Sequence, residues 1–282
     1  MRRFFAFPLV RLVLIVITWG ALLSVVLIAV HTPRAADSIW WTIAINWITA
    51  VLLLALLILV ERLATGRPPA AIGFDPRKAI RDLALGVALG AVLFSCVIFE
   101  LELGGWYRVS AIHVTPDVAI AALLLAAAAI TEELLFRGVV FRLVEEWAGT
   151  WIGLLISAVM FGAIHAANPG ATWVSTLAIA LEAGVLLAAA FVVTKNLWLP
   201  IGLHFAWNFF EGPIFGTQVS GHTFLKSAIE AHVTGPALLT GGSFGPEAGL
   251  PAIVTCVVAA LALLMYAKRR GLIVPLRRTR PV

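Results

Sequence analysis

Eight times along this 282-residue chain an apolar run reaches roughly the length, about 20 residues, that a bilayer's hydrocarbon core demands of a helix. The runs cover about 12–30, 39–60, 83–99, 118–144, 151–166, 173–194, 197–215 and 250–267. Hydrophobic residues make up 61% of the chain and charged residues only 12%. An ordinary soluble domain carries about 25% charged residues, so this chain has too little polar surface to face water on all sides. The expectation is an all-α, polytopic membrane helix bundle of about eight transmembrane helices. The fifth run is short, and the fourth is long enough to project from the membrane.

Charge placement gives an orientation. With the N-terminus inside and the segments alternating, 17 of the 20 Lys and Arg residues fall on the inner side, Arg137 and Arg142 among them, leaving Arg34, Arg108 and Lys226 outside. The positive-inside rule predicts this asymmetry, so both termini are expected in the cytoplasm. The net charge of +5 therefore reflects topology, and nucleic acid is not expected as a partner. The first span reads as a retained anchor rather than a cleaved signal: its apolar run is long for a signal and no small-x-small site follows. The loop 62–78 reads as a basic topology determinant punctuated by Pro and Gly. Gly86 and Gly90 form a GxxxG suited to close helix packing. Gln218 to Gly249 is the longest outside segment, either a lid or a mobile loop. Cys96 and Cys256 lie in apolar runs without ligand spacing.

The fourth run is broken by Thr131-Glu132-Glu133-Leu134-Leu135-Phe136-Arg137-Gly138. Each such charge costs at least ~2.5 kcal/mol at the bilayer centre, so it must face protein or a wet cavity. Glu133 and Arg137 are i and i+4, on one face and able to pair. Glu132 points about 100° away, free for chemistry. Two further segments carry polar residues inside spans: Phe161-Gly162-Ala163-Ile164-His165, and His204-Phe205-Ala206-Trp207-Asn208. A carboxylate can take a proton from water, an imidazole can hold that water, shuttle the proton or bind a metal, and a His/Asn pair can donate to an oxyanion. That set suffices for water-driven hydrolysis of an amide. Glu182, in the sixth run, is either structural or a cavity lining. His31, His113, His222 and His232 fall in loops and are expected in water.

In order, EExxxR, FxxxH and HxxxN on successive hydrophobic segments resemble the CPBP family, the type II CAAX-processing endopeptidases and their bacterial Abi-like relatives. Here they read Glu132-Glu133-x-x-x-Arg137, Phe161-x-x-x-His165 and His204-x-x-x-Asn208, with Trp198-Leu199-Pro200-Ile201-Gly202-Leu203 before the second histidine. The resemblance covers about 118–217, between N-terminal transmembrane helices (1–117) and a region (218–282) of extracytoplasmic loop, last helix and basic tail. It implies an intramembrane protease with a cavity open to the cytoplasm. Glu132 would activate water, His165 would help to hold it, His204 and Asn208 would form the oxyanion hole, and Glu133, Arg137 and Phe161 would support the site. No cofactor is favoured. Zinc is the alternative, since Glu132, His165 and His204 could make a three-ligand site. The implied substrate is a membrane-embedded or lipidated peptide or protein, and the expected location is a bacterial inner membrane. The competing readings are an inactive scaffold or immunity factor, and a proton-coupled transporter. One feature fits poorly: at ~1.5 Å per residue His204 lies ~10 Å and His165 ~21 Å from the inner ends of their helices, whereas one site demands one level.

Overall fold

A computed structural model describes residues 2–30, 38–223 and 225–276. His31, Arg34, Arg277, Arg278 and Arg280, which the sequence assigns to loops and tail, lie outside the described residues, as do the side chains of Arg2 and Arg3. The principal helices are α1 (Pro8–Val30), α2 (Ile39–Thr65), α3 (Ala79–Leu103), α4 (Asp117–Ala148), α5 (Thr150–His165), α6 (Trp173–Thr194), α7 (Trp198–Ile214) and α8 (Leu250–Arg269). All but α5 and α7 are long and apolar enough to cross a membrane, which gives six such helices among the described residues. The expectation of eight spans is thus met by length in six cases. The other two, at 16 residues for α5 and twelve α-helical plus five π-helical residues for α7, are the ones that carry His165, His204 and Asn208. The protein is an all-α, polytopic membrane bundle, and a small sheet among the described residues pairs β1 (Tyr107–Ile112) antiparallel with β2 (Ile229–Val233).

A contiguous apolar core runs through the bundle. Ile15 and Trp19 of α1, Leu53 and Leu57 of α2, Phe94 of α3, Phe141 of α4, Phe191 of α6 and Cys256 of α8 all belong to it. The crossing of α3 with α7 is the tightest. A Cβ on Gly86 would meet the Leu199 carbonyl oxygen at 2.3 Å, one on Gly90 the Leu203 oxygen at 2.4 Å, and one on Gly202 the Leu83 oxygen at 2.4 Å. The GxxxG is therefore a backbone-to-backbone contact, and it fixes the helix that carries His204.

Hydrogen bonds define the two ends of the bundle. At the first end, Thr150 bonds to Val274 backbone (N to O, 3.0 Å) and to Glu145 (2.6 Å), and Lys195 reaches the same Glu145 at 2.8 Å. Leu197 N donates to Gly73 O at 2.8 Å, and Trp198 Nε1 to Asp75 O at 3.2 Å. Arg11 and Arg142 converge on buried Glu61 at 2.8 and 2.6 Å, and Arg11 and Arg67 on Glu146 at 2.9 and 3.1 Å. The starts of α1, α5 and α7 and the ends of α2, α4, α6 and α8 lie here, with the basic loops. The loop 62–78 forms two short 3₁₀ turns, Pro69–Ile72 and Pro76–Lys78, packed onto the bundle.

At the opposite end stand the β1–β2 ribbon and the rest of the 218–249 segment. Ala228 N donates to Pro213 O at 2.7 Å and Gly221 N to Phe244 O at 2.6 Å. The Tyr107 hydroxyl donates to Phe215 O at 2.9 Å. Burial, with the Glu102 carboxylate nearby, pushes that hydroxyl up to about 12.

Candidate functional site

The helical repeat of α4 changes just where its charges occur. The helix is regular from Asp117 to Glu133 and then widens to a π-helix over Leu134–Phe141. Similar π-helical segments occupy Ala180–Gly184 in α6 and Phe210–Ile214 in α7. Such segments often mark functional sites, and the one in α6 lines a cavity through Glu182 and Ala183.

Glu133 and Arg137 pair as their spacing requires, Nη1 to Oε1 at 2.6 Å, both wholly buried. The same guanidinium donates through Nη2 to Ala183 O at 2.9 Å, on the π-helical part of α6, and lies over the Phe161 ring at 4.5 Å. Arg137 is thus a linchpin between three helices and not, as the charge count has it, part of an inner loop. Burial inside the bundle removes it from that count.

His204 stands between the two glutamates. Its Nδ1 is 2.9 Å from Glu133 Oε1 and its Nε2 3.9 Å from Glu132 Oε2. Glu132 keeps 30% of its side chain exposed, whereas Glu133 is fully enclosed, which is the division that their 100° separation predicts. His165 bonds through Nδ1 to its own helix, to Phe161 O at 2.7 Å. A carbonyl only accepts, so Nδ1 carries the proton and Nε2 of the neutral ring is an acceptor.

Glu132, Phe161, His165, His204 and Asn208 line one cavity of about 250 Å³. Glu133 and Arg137 stand behind its wall. The mismatch in depth is resolved along the cavity axis. α5 starts at Thr150, about where the sequence places it, and Phe161 is the residue beside His204, with ring centroids 6.0 Å apart, while His165 sits one turn beyond. Glu182 also lines this cavity, which decides between its two readings, with both carboxylate oxygens buried and without a hydrogen-bond partner among the described residues.

Sequence reasoning misses three further features. Glu247 lines the cavity from the 218–249 segment, and Ser220 Oγ donates to it at 2.5 Å. Glu211 is wholly buried and accepts from Glu247 N at 3.2 Å. His222, read as a solvated loop residue, is exposed but stands on the cavity's rim. Only the placement of Glu211 seven residues after His204, two turns on along one helix, is a signal that the sequence carries. Of the other loop histidines, His113 and His232 are exposed as expected.

The whole motif set falls within one recognisable segment. Residues 113–210 match the family model described as type II CAAX prenyl endopeptidase Rce1-like. The match covers about a third of the chain and includes every motif residue, but stops short of Glu211, Ser220, His222 and Glu247. Searches of curated proteins and of solved structures returned no match. The matched segment thus supplies most of the cavity lining, Asn168 on the rim included, and Val219, Ser220, His222, Glu247 and Cys256 come from beyond it.

Among the described residues no group of three or more His, Cys, Asp and Glu side chains is arranged to hold a metal ion. His204 holds Glu133 through Nδ1, with Nε2 3.9 Å from Glu132 Oε2.

The cavity mouth lies at one end of the bundle. Every loop residue in its lining (Asn168, Val219, Ser220, His222 and Glu247) comes from the end opposite Lys195, Gly73 and Val274. The mouth therefore lies at the end of the bundle opposite the start of α1 and the end of α8.

Proposed function

We propose that this protein is an intramembrane endopeptidase, hydrolysing a peptide bond of a membrane-associated or lipidated peptide or protein by attack of a water activated by Glu132. The observation that carries this reading is the asymmetry of the two glutamates: Glu133 is consumed by Arg137 and His204, and Glu132 faces the cavity beside the other motif residues. Glu132 takes a proton from water lodged between it and His165, whose Nε2 is an acceptor. The hydroxide adds to the scissile carbonyl. His204, taken as an imidazolium with Nδ1–H on Glu133 and Nε2–H facing Glu132, and the Asn208 amide donate to the oxyanion that forms, in a site where low dielectric makes such donors worth most. Glu133 holds Nδ1 of His204 and so sets the ring's orientation, and Arg137 holds Glu133. Glu132 then returns its proton to the leaving amine.

A proton-coupled carrier would also place a carboxylate and histidines inside a bundle. The cavity's mouth at one end only, as its loop lining shows, favours a site that acts on a substrate over a path across the membrane. The test compares membrane-protein fragments in cells carrying the wild-type protein or Glu132→Gln. Fragments that depend on Glu132 support the reading. Identical fragment sets, with both proteins equally abundant, overturn it.

A further inference from the structure

The ends of the bundle and the distribution of charge together decide which side of the membrane the cavity serves. Buried Arg11 and Arg142 aside, Arg67 and Lys195 are joined by ion pairs to Glu146 and Glu145 at one end, where Arg77 is exposed. Lys78, at the start of α3, and Lys268 and Arg269, at the end of α8, lie at that end too. The opposite end holds Arg108 in β1 and Lys226 in the segment before β2. Lys and Arg crowd the cytoplasmic side of membrane proteins because translocating them is unfavourable, so the first end is cytoplasmic.

The cavity runs from the opposite surface towards the middle of the bundle. α5 begins at the basic end at Thr150 and ends at His165, a rise of about 22 Å, so His165 is near the far surface. Asn168 follows it in the loop, and His222, an exposed residue, stands on the same rim. That rim is itself braced: Ser220 is tied to Glu247, and Gly221 N to Phe244 O. No residue of the 62–78 loop, of 194–197 or of 270–276 lines the cavity.

We propose that the cavity opens on the extracytoplasmic side, and that its substrates are peptide segments reaching it there: a secreted or lipid-anchored peptide, or the outer juxtamembrane part of a membrane protein. The substrate class rests on the protease reading above; the side of opening does not. A bond that stays in the cytoplasm is out of reach of Glu132 in this orientation.

The experiment is thiol labelling of the full-length protein in spheroplasts with a membrane-impermeant maleimide. Single cysteines replace His222 or Asn168 at the mouth, and Arg77, whose side chain is 89% exposed at the basic end, in a background with Cys96→Ala and Cys256→Ala. Should that background not fold, Cys256 is retained and the labelled residue is read by peptide mass spectrometry. His222→Cys and Asn168→Cys are labelled in intact spheroplasts, and Arg77→Cys only after the membrane is permeabilised. Mouth cysteines protected until permeabilisation, or Arg77→Cys labelled from outside, overturn the proposal. The same pattern is expected with Glu132→Gln added. A labelling result that holds while cleavage proves independent of Glu132 would therefore sink the protease reading and leave the orientation standing.

Discussion

Replacing Arg137 with alanine removes more than one charge. Glu133, wholly buried, loses its 2.6 Å partner, and breaking one side of a buried ion pair costs about 3–5 kcal/mol because the remaining charge is uncompensated. The Ala183 carbonyl loses its 2.9 Å donor, an orphaned acceptor worth about 1–3 kcal/mol. Together the loss is about 4–8 kcal/mol, comparable with the ~5–15 kcal/mol that holds a typical protein folded. Arg137→Ala is therefore expected to lower the yield of folded protein several-fold and its unfolding temperature in detergent by ten degrees or more, by order of magnitude. Arg137→Lys keeps the charge but cannot span Glu133 and Ala183 with one fork, and should fall between. The double variant Glu133→Gln, Arg137→Met removes both charges at similar volume, which is often neutral for a buried pair. It should recover most of the stability while remaining inactive, because His204 loses its anchor. Thermal unfolding in one detergent, followed by tryptophan fluorescence, measures all three. Arg137→Ala with wild-type yield and unfolding temperature would refute the reasoning.

Gly90→Ala places a Cβ 2.4 Å from the Leu203 oxygen. Opening the α3–α7 crossing should cost about 1–3 kcal/mol and move His204, so both unfolding temperature and cleavage rate fall, whereas Gly20→Ala, with nothing within 4 Å, changes neither. Asn208→Ala deletes one oxyanion donor and should reduce turnover about 100- to 1,000-fold with little change in folding, read as kcat on a substrate found by the fragment comparison. Excess phenanthroline should leave the cleavage rate unchanged, because the mechanism proposed for Glu132 needs no metal. Loss of activity that zinc restores would reverse that conclusion.

Residues with a one-dimensional signature were legible in the sequence. Glu133 and Arg137 pair because i and i+4 share a helix face, and Glu132 stays free because i+1 does not. The membrane spans are legible because a bilayer fixes the length of its helices, and Gly86 and Gly90 because only a missing side chain lets two backbones touch. What was not legible depends on long-range packing. Glu61 meets Arg11 from 50 positions away, and Glu247 reaches the cavity because a loop folds back over α7. The π-helical turns leave no composition signal. The mouth of the cavity was not legible because the motifs name residues that line it, whereas access is set by which loops surround them.

The most direct measurement is the cleavage rate of Glu132→Gln against wild type, on the same substrate and in matched proteoliposomes. Glutamine keeps the volume and hydrogen-bonding shape of the side chain and removes the base, so folding should be unchanged and cleavage should fall by at least ~100-fold, the usual scale of losing a general base. Wild-type cleavage by Glu132→Gln would contradict the account, and the role of base would pass to another residue or to none.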